Sequence, residues 1–309
     1  FEDACLICLT EQERAGLDIA TDGQQYYEPE TPWDRDPVFS FVASRIGGTD
    51  FWGGPGPMFL NVYQQCRVVG ALEWVRPIYG PIADTVRRLT TKPVKLQMIG
   101  PATMSFLLTD EHYKDIEALS RDMAKVYQRE LADLAERGIE WVSFVEEIPL
   151  WSGGQPWALQ CLNEAVRGAK VRTSWHSCYG STRGEQPVMP EGCGGVYGPM
   201  LEREEILVDD MSFEFCRRDF TDLDVFKPFA ERPGKSVSVG VIKFNDMTVE
   251  TPEQVSESIR KAVKSLGAEN VMVSTDCGLL FQRRDIAFRK LQSLAEGTRI
   301  VRAELTGST

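Results

Sequence analysis

The sequence predicts an α/β fold of the (β/α)8 TIM-barrel class. Three observations carry that prediction. Strand-like apolar runs alternate with helical runs along the chain, the pattern of a parallel sheet joined by right-handed crossovers. Seven strand–helix units can be counted, and an eighth strand would come from residues preceding Phe1. The 309 residues suit such a barrel, and no linker or change of composition marks a second domain. An open doubly wound sheet is the competing architecture. The chain opens at Phe1 without an initiator Met, already inside a helical pattern, and reads as one N-terminally incomplete domain over residues 1–309. A barrel without its first strand has an open edge, so a fragment starting at Phe1 is expected to be unstable on its own.

Taken in order, residues 2–15 carry apolar side chains at helical spacing, and Gly16 ends the pattern. Residues 17–21 (L-D-I-A-T) read as a strand closed by the turn Asp22-Gly23. Cys5 and Cys8 form a C-x-x-C, but on a helix they share one apolar face and read as core. Residues 24–57 form a long loop with Tyr26, Tyr27, Trp33, Trp52 and G-G-P-G-P. Loops of that length are usually functional or disordered, and the aromatics argue for function. Residues 72–89 are helical in pattern, interrupted by Pro77 and Pro81. The expected strands then fall at 94–99, 141–145, 171–178, 206–215, 236–244 and 271–275. The expected helices fall at 116–137, 156–166, 195–205, 224–230, 252–266 and 285–295.

Composition excludes several classes. A net charge of −12 without a basic stripe argues against nucleic acid as a partner. No run is long and apolar enough for a membrane span, and nothing resembles a signal peptide. Eight irregularly spaced cysteines in a long chain do not form a disulfide framework. A reducing, cytoplasmic setting is expected, with a homo-oligomer possible.

In a barrel the chemistry lies at the carboxyl ends of the strands. Those ends carry Asp22 and Gln24, Thr103, Glu146 and Glu147, His176 and Cys178, Glu214, Lys243 and Asn245, and Asp276 and Cys277. His176 and Cys178 are two apart and would face one side of a strand. Alone, an H-x-C is more often core than metal site. With Glu214 and Cys277 it offers one N, one O and two S donors from three strands, a set that can complete a tetrahedral zinc site.

These motifs resemble the catalytic C-terminal barrel of cobalamin-independent methionine synthase and its single-barrel relatives. The resemblance covers nearly the whole chain. It runs through A-G-L-D-I-A-T-D-G (15–23), I-G-P-A-T (99–103), V-E-E-I-P-L (145–150) and W-H-S-C-Y (175–179). It continues through S-F-E-F (212–215), G-V-I-K-F-N (240–245), V-E-T-P-E (249–253) and D-C-G-L (276–279). H-x-C followed by D-C-G is the specific part; G-P-A-T alone is weak. The resemblance implies Zn2+ held by His176, Cys178, Glu214 and Cys277. It also implies a small-molecule thiol that joins the zinc as thiolate and attacks an alkyl carbon. Four protein ligands usually close a zinc site, so one must yield to the thiol or the coordination must expand, and Glu214, the hardest donor, is the expected mobile ligand.

The acceptor would be held by Gln24, Thr103, Glu146, Glu147 and Arg217, with Glu146, Asn245 and Asp276 in the catalytic set. Two substrate-binding positions depart from the family. Gln24 stands where a Glu is expected, and Glu146 where an Asp is expected. The general-acid histidine expected after the seventh strand is replaced by Phe244-Asn245-Asp246. A methylfolate-like donor needs such an acid, whereas a methylcorrinoid does not. His112 reads as a surface residue. Arg217 and Arg218 either clamp an anionic group of the substrate or form a solvated turn. Segments 151–157 and 184–195, with Trp33 and Trp52, would rim the site as a lid. Cys193 and Cys216 lie off the motif and read as structural. An epoxide–thiol transferase of the coenzyme M type is the alternative activity. A non-catalytic barrel with a structural zinc is the rival from another class.

Overall fold

In a computed structural model, the chain is described over residues 1–25, 37–53, 64–151, 155–178, 194–203, 205–280 and 282–307. It divides into two compact units, one of residues 1–9 and 21–173, the other of residues 10–20 and 174–309. Helix α1 (Glu2–Ala15) begins in the first and ends in the second. Residues 17–21 hold an isolated bridge at Ala20 rather than a strand.

The first unit opens with α2 (Pro37–Ala43) and the strands β1 (Ile46–Gly53) and β2 (Gln64–Trp74). These strands pair antiparallel, from Ile46 opposite Trp74 to Gly53 opposite Gln64. Strand β1 lies in the expected loop 24–57, and β2 covers residues 64–71, for which no element is expected, and the start of the expected helix 72–89. Gly, Pro and aromatic residues hid the two-residue alternation, and the pairing that makes the hairpin is non-local. Then follow α3 (Gly80–Leu89), β3 (Lys95–Ile99), α4 (Pro101–Leu107), β4 (Thr109–Asp110) and α5 (Ile116–Glu136). The unit closes with β5 (Trp141–Val145), α6 (Ile148–Trp151) and α7 (Pro156–Val166).

Strands β3 and β5 run parallel, Lys95 opposite Trp141 through Ile99 opposite Val145. Their core side chains Leu96, Met98, Val142 and Phe144 have no exposed surface. Helix α5 starts where the Asp115 carboxylate accepts the N–H groups of Glu117 and Ala118, and it ends before Gly138, whose φ of +78° suits a residue without Cβ. The buried Glu130 on α5 accepts from Trp74 Nε1 (2.7 Å) and from the N–H groups of Ile78 (2.9 Å) and Tyr79 (2.7 Å). That carboxylate fixes the passage from β2 into α3.

The second unit contains most of β6 (Arg172–Ser177), then α8 (Gly194–Arg203), β7 (Asp210–Phe213), α9 (Lys227–Ala230), β8 (Ser236–Ile242), α10 (Pro252–Leu266), β9 (Val271–Thr275) and α11 (Arg284–Thr306). Its strands are parallel in chain order, with Ser174 opposite Asp210, Asp210 opposite Ser236 and Val237 opposite Val271. Helix α10 begins in a capping box between Thr251 and Gln254, with Pro252 in its first turn. Helix α11 continues past the expected stop at residue 295. Gly297 inside it faces α10, where a Cβ would meet Val255 and the Pro252 carbonyl. The glycine is there for close packing, not termination.

Each unit contributes parallel strands, which makes this an α/β fold. No helix of the described residues is long and apolar enough to cross a membrane.

Candidate metal centre

Alternation along β6 and β7 divides packing from chemistry. Trp175 and Phe213 point to one side, where they form a buried cluster with Tyr197, Phe215 and Phe226. Neighbouring rings stand tilted or edge-on, 4.6–6.0 Å apart. The Tyr197 hydroxyl donates to Ser177 Oγ (2.9 Å), tying this cluster to β6. Side chains at even positions therefore face the other way: Ser174, His176 and Cys178 from β6, and Asp210, Ser212 and Glu214 from β7.

The lowest layer of that face is a fully buried carboxylate. Asp210 accepts hydrogen bonds from the hydroxyls of Ser174 (3.0 Å), Ser236 (2.6 Å) and Ser238 (2.7 Å), one neighbouring strand on each side. One residue pair higher, His176 Nδ1 lies 3.2 Å from Ser212 Oγ. Donation from Nδ1 to that hydroxyl leaves Nε2 with its lone pair, and Nε2 faces Cys178 Sγ at 3.6 Å. Cys178 Sγ in turn lies 3.8 Å from Cys277 Sγ at the end of β9. Donor atoms of His176, Cys178 and Cys277 all lie within 4.8 Å of one another. Contact with Cys178 and with the His176 ring holds the Cys277 thiol well below its ordinary range, against burial. One imidazole nitrogen and two sulfurs so arranged can hold a metal ion, and the donor set fits zinc.

Glu214, predicted as the fourth ligand, lies one residue beyond β7 and is fully buried. Its carboxylate falls outside the 4.8 Å group. Its Oε2 instead lies 3.4 Å from Arg217 Nη1, whose side chain is 10% exposed. The guanidinium also stands 5.3 Å from the Phe244 ring centroid. Arg218 pairs with Asp222 at 2.9 Å, so this segment is not a solvated charged turn.

Asp276 organises the same corner. Its Oδ1 accepts the N–H groups of Phe215 and Cys216, and its Oδ2 that of Arg217, each at 2.9 Å. Burial pushes its carboxyl up to about 8, despite those three donors. Its close approach depends on Gly240 of β8, since a Cβ there would run into the Asp276 carboxylate and backbone. Asp276 thus links the strand end that bears Cys277 to the turn that follows Glu214. Asn245, half-buried, lies in the loop after β8. That loop is braced by Lys290, a buried lysine that donates to Glu250 (2.7 Å) and to the Thr248 carbonyl (2.6 Å).

The first unit holds the remaining predicted residues. Glu146, fully buried at the end of β5, accepts from the N–H groups of Ala102 and Thr103 (both 2.9 Å), from that of Ile148 (3.3 Å) and from the Thr103 hydroxyl. Gly100 makes room, because a Cβ there would strike the carboxylate. Burial pushes the Glu146 carboxyl up to about 7. Thr103 Oγ1 also accepts the Glu147 N–H at 2.8 Å. Asp22, likewise fully buried and pushed up to about 7 by burial, accepts the Gln24 N–H at 2.8 Å. Gln24 itself has a left-handed backbone, φ +53°. His112 is exposed, as expected. Cys5 is buried and Cys8 half-buried on α1. Trp33, Tyr26, Tyr27 and Cys193, together with segments 152–154 and 184–193, lie outside the described residues, as does the side chain of Trp52.

Ser212, Asp210 and Gly240 were missed in the sequence. The first two were signalled by D-M-S-F-E (210–214), in which polar residues repeat every second position up to Glu214.

Fold and site together define an α/β protein with a nitrogen–sulfur group that could hold a metal at the carboxyl ends of parallel strands. The chain belongs to the cobalamin-independent synthase family. The model of that family's catalytic domain matches residues 68–299. The chain is 30% identical over 308 residues to a methionine synthase from Pyrococcus abyssi, covering 98% of this chain and 83% of that protein. It is 28% identical over 307 residues to one from Sulfurisphaera tokodaii, covering 99% and 83%. A solved B12-independent methionine synthase from a Shewanella species, in complex with selenomethionine, superposes with a TM-score of 0.81 at 27% identity, covering 99% of this chain and 89% of that one. A methyltransferase from Methanosarcina mazei shares the fold, with a TM-score of 0.61 at 9% identity over 97% and 86% of the two chains.

Proposed function

We propose that this chain is a zinc-dependent methyltransferase acting on a thiol, of the methionine synthase type, with homocysteine as the acceptor. The observation that carries the reading is the His176–Cys178–Cys277 group, with Nε2 of the histidine directed at the sulfurs. A bound zinc ion supplies a Lewis acid that keeps a substrate thiol ionised near neutral pH while leaving it nucleophilic. His176, Cys178 and Cys277 hold the ion, and Glu214 is the fourth, exchangeable donor. We read the parallel strands as parts of one closed (β/α)8 barrel, consistent with the whole-length likeness to the Shewanella enzyme.

Asp276 serves by position: its three N–H contacts set the turn after Glu214 and so the spacing of the ligands. We assign the acceptor's polar groups to Gln24, Thr103 and the Glu146–Glu147 pair. Because the Glu146 carboxylate is committed to the amides that start α4, Glu147 is the member of the pair that addresses substrate. Asn245 replaces a general acid with a neutral amide, which favours a methyl donor with a good leaving group, such as a methylcorrinoid, over a methylfolate.

The test is metal content together with turnover. Wild type should bind about one zinc per chain, lost or much weakened in Cys277→Ser. Loaded enzyme should form methionine from homocysteine with methylcobalamin, and much more slowly with methyltetrahydrofolate. A well-folded wild type that binds no zinc would sink the proposal.

A further inference from the structure

We propose that Arg217 is a positioning residue, the counter-ion that holds the Glu214 carboxylate whenever it is not a metal ligand. The inference rests on the reading of Glu214 as the exchangeable donor. It adds what makes the exchange possible.

Glu214 has no exposed surface. A carboxylate released there is buried, and a buried charge without a partner is strongly disfavoured. Some group inside the protein must receive it. Arg217 is placed to do so by local geometry. The chain passes from Glu214 into a 3₁₀ turn at Cys216–Arg218, and at three residues per turn positions 214 and 217 lie one above the other. The Asp276 carboxylate fixes that turn through three N–H groups, including that of Arg217 itself.

The Arg217 side chain is 90% covered, and its guanidinium rests against the Phe244 ring, 5.3 Å from its centroid. Its 3.4 Å separation from Glu214 is longer than a tight charge-assisted bond, leaving the carboxylate room to close on it. Arg218 cannot substitute, being paired with Asp222 at 2.9 Å. A thiol joining the metal would give up its proton to solvent, and Glu214 would leave as the carboxylate. The negative charge it carries is met by the guanidinium, so no uncompensated charge is left buried. This assigns Arg217 to the ligand Glu214.

The experiment uses the full chain loaded with cobalt(II), which takes the same nitrogen and sulfur donors and reports its shell by visible absorption. Homocysteine and 2-mercaptoethanol are titrated into wild type, Arg217→Lys, Arg217→Met, Glu214→Gln and the Glu214→Gln/Arg217→Met double variant. Arg217→Met should bind cobalt as tightly as wild type or more so, yet bind either thiol at least about tenfold more weakly. Arg217→Lys, which keeps the charge and guards against a misfolded Met variant, should retain most of the thiol affinity. In the Glu214→Gln background the Arg217→Met change should have little further effect, because the charge it served is gone.

Equal thiol affinity in wild type and Arg217→Met, or an equal loss with and without Glu214, would overturn the inference while leaving the metal centre intact. A wild-type spectrum that no thiol alters would instead refute the exchange reading on which it stands.

Discussion

Gly240 shows how one missing Cβ sets the metal centre. Its Cα face is where the Asp276 carboxylate sits, and a methyl group there would overlap both that carboxylate and the Asp276 backbone. Gly240→Ala should therefore displace the end of β9 and with it Cys277. We expect a loss of roughly 2–3 kcal/mol in stability and a weaker hold on zinc, measured by urea denaturation and competition with a chelator. Alanine at this position with unchanged metal affinity would mean that Asp276 does not govern the Cys277 position. Ser212 is a milder case. Ser212→Ala should leave the fold intact and lower metal affinity about tenfold, because Nδ1 of His176 loses the partner that selects its tautomer.

At the scale of elements, buried carboxylates do the fastening. Glu130 gathers an indole and two backbone N–H groups at the junction of β2 and α3. Glu130→Ala leaves three donors without it, and should cost about 3 kcal/mol, read as a shift of the denaturation midpoint at constant slope. The long elements with clean periods, such as α5, α7, α10, β5 and β9, lie where their spacing predicts, to within a residue or so. The failures share a cause. The β1–β2 hairpin is made by pairing between segments whose own pattern is irregular, and α11 passes through a glycine that only α10 explains.

For the molecule as a whole, the pH dependence of stability follows from buried acids. Burial raises Glu146 from 4.5 to about 7 and Asp22 from 3.8 to about 7. Between those limits the folded chain keeps protons that the unfolded chain has released, so stability is fullest below the ordinary carboxylate range and falls as pH rises toward 7. The shifts correspond at most to about 3 kcal/mol for Glu146 and about 4 kcal/mol for Asp22. Metal-free protein should lose melting temperature across that window, and Glu146→Gln should flatten the slope. A Glu146→Gln slope equal to wild type would mean that the carboxyl titrates normally.

What the sequence determined by itself was the α/β alternation and the candidate metal group, because both are written in local spacing. An H-x-C at a strand end puts two donors on one face through the two-residue period alone, and the D-C-G that follows a later strand supplies the third. The contacts of the remaining charges are set by the tertiary fold. Glu146, expected from the family resemblance to hold substrate, has its carboxylate bound to the amides that open α4. Asp276, read as catalytic, has both oxygens on the turn after Glu214. Arg217, read as a clamp or a solvated turn, is covered and paired with Glu214. A buried charge is governed by its partners, and those partners come from other strands and turns, or from a fold-back such as the turn joining Glu214 to Arg217. No spacing in the sequence records that.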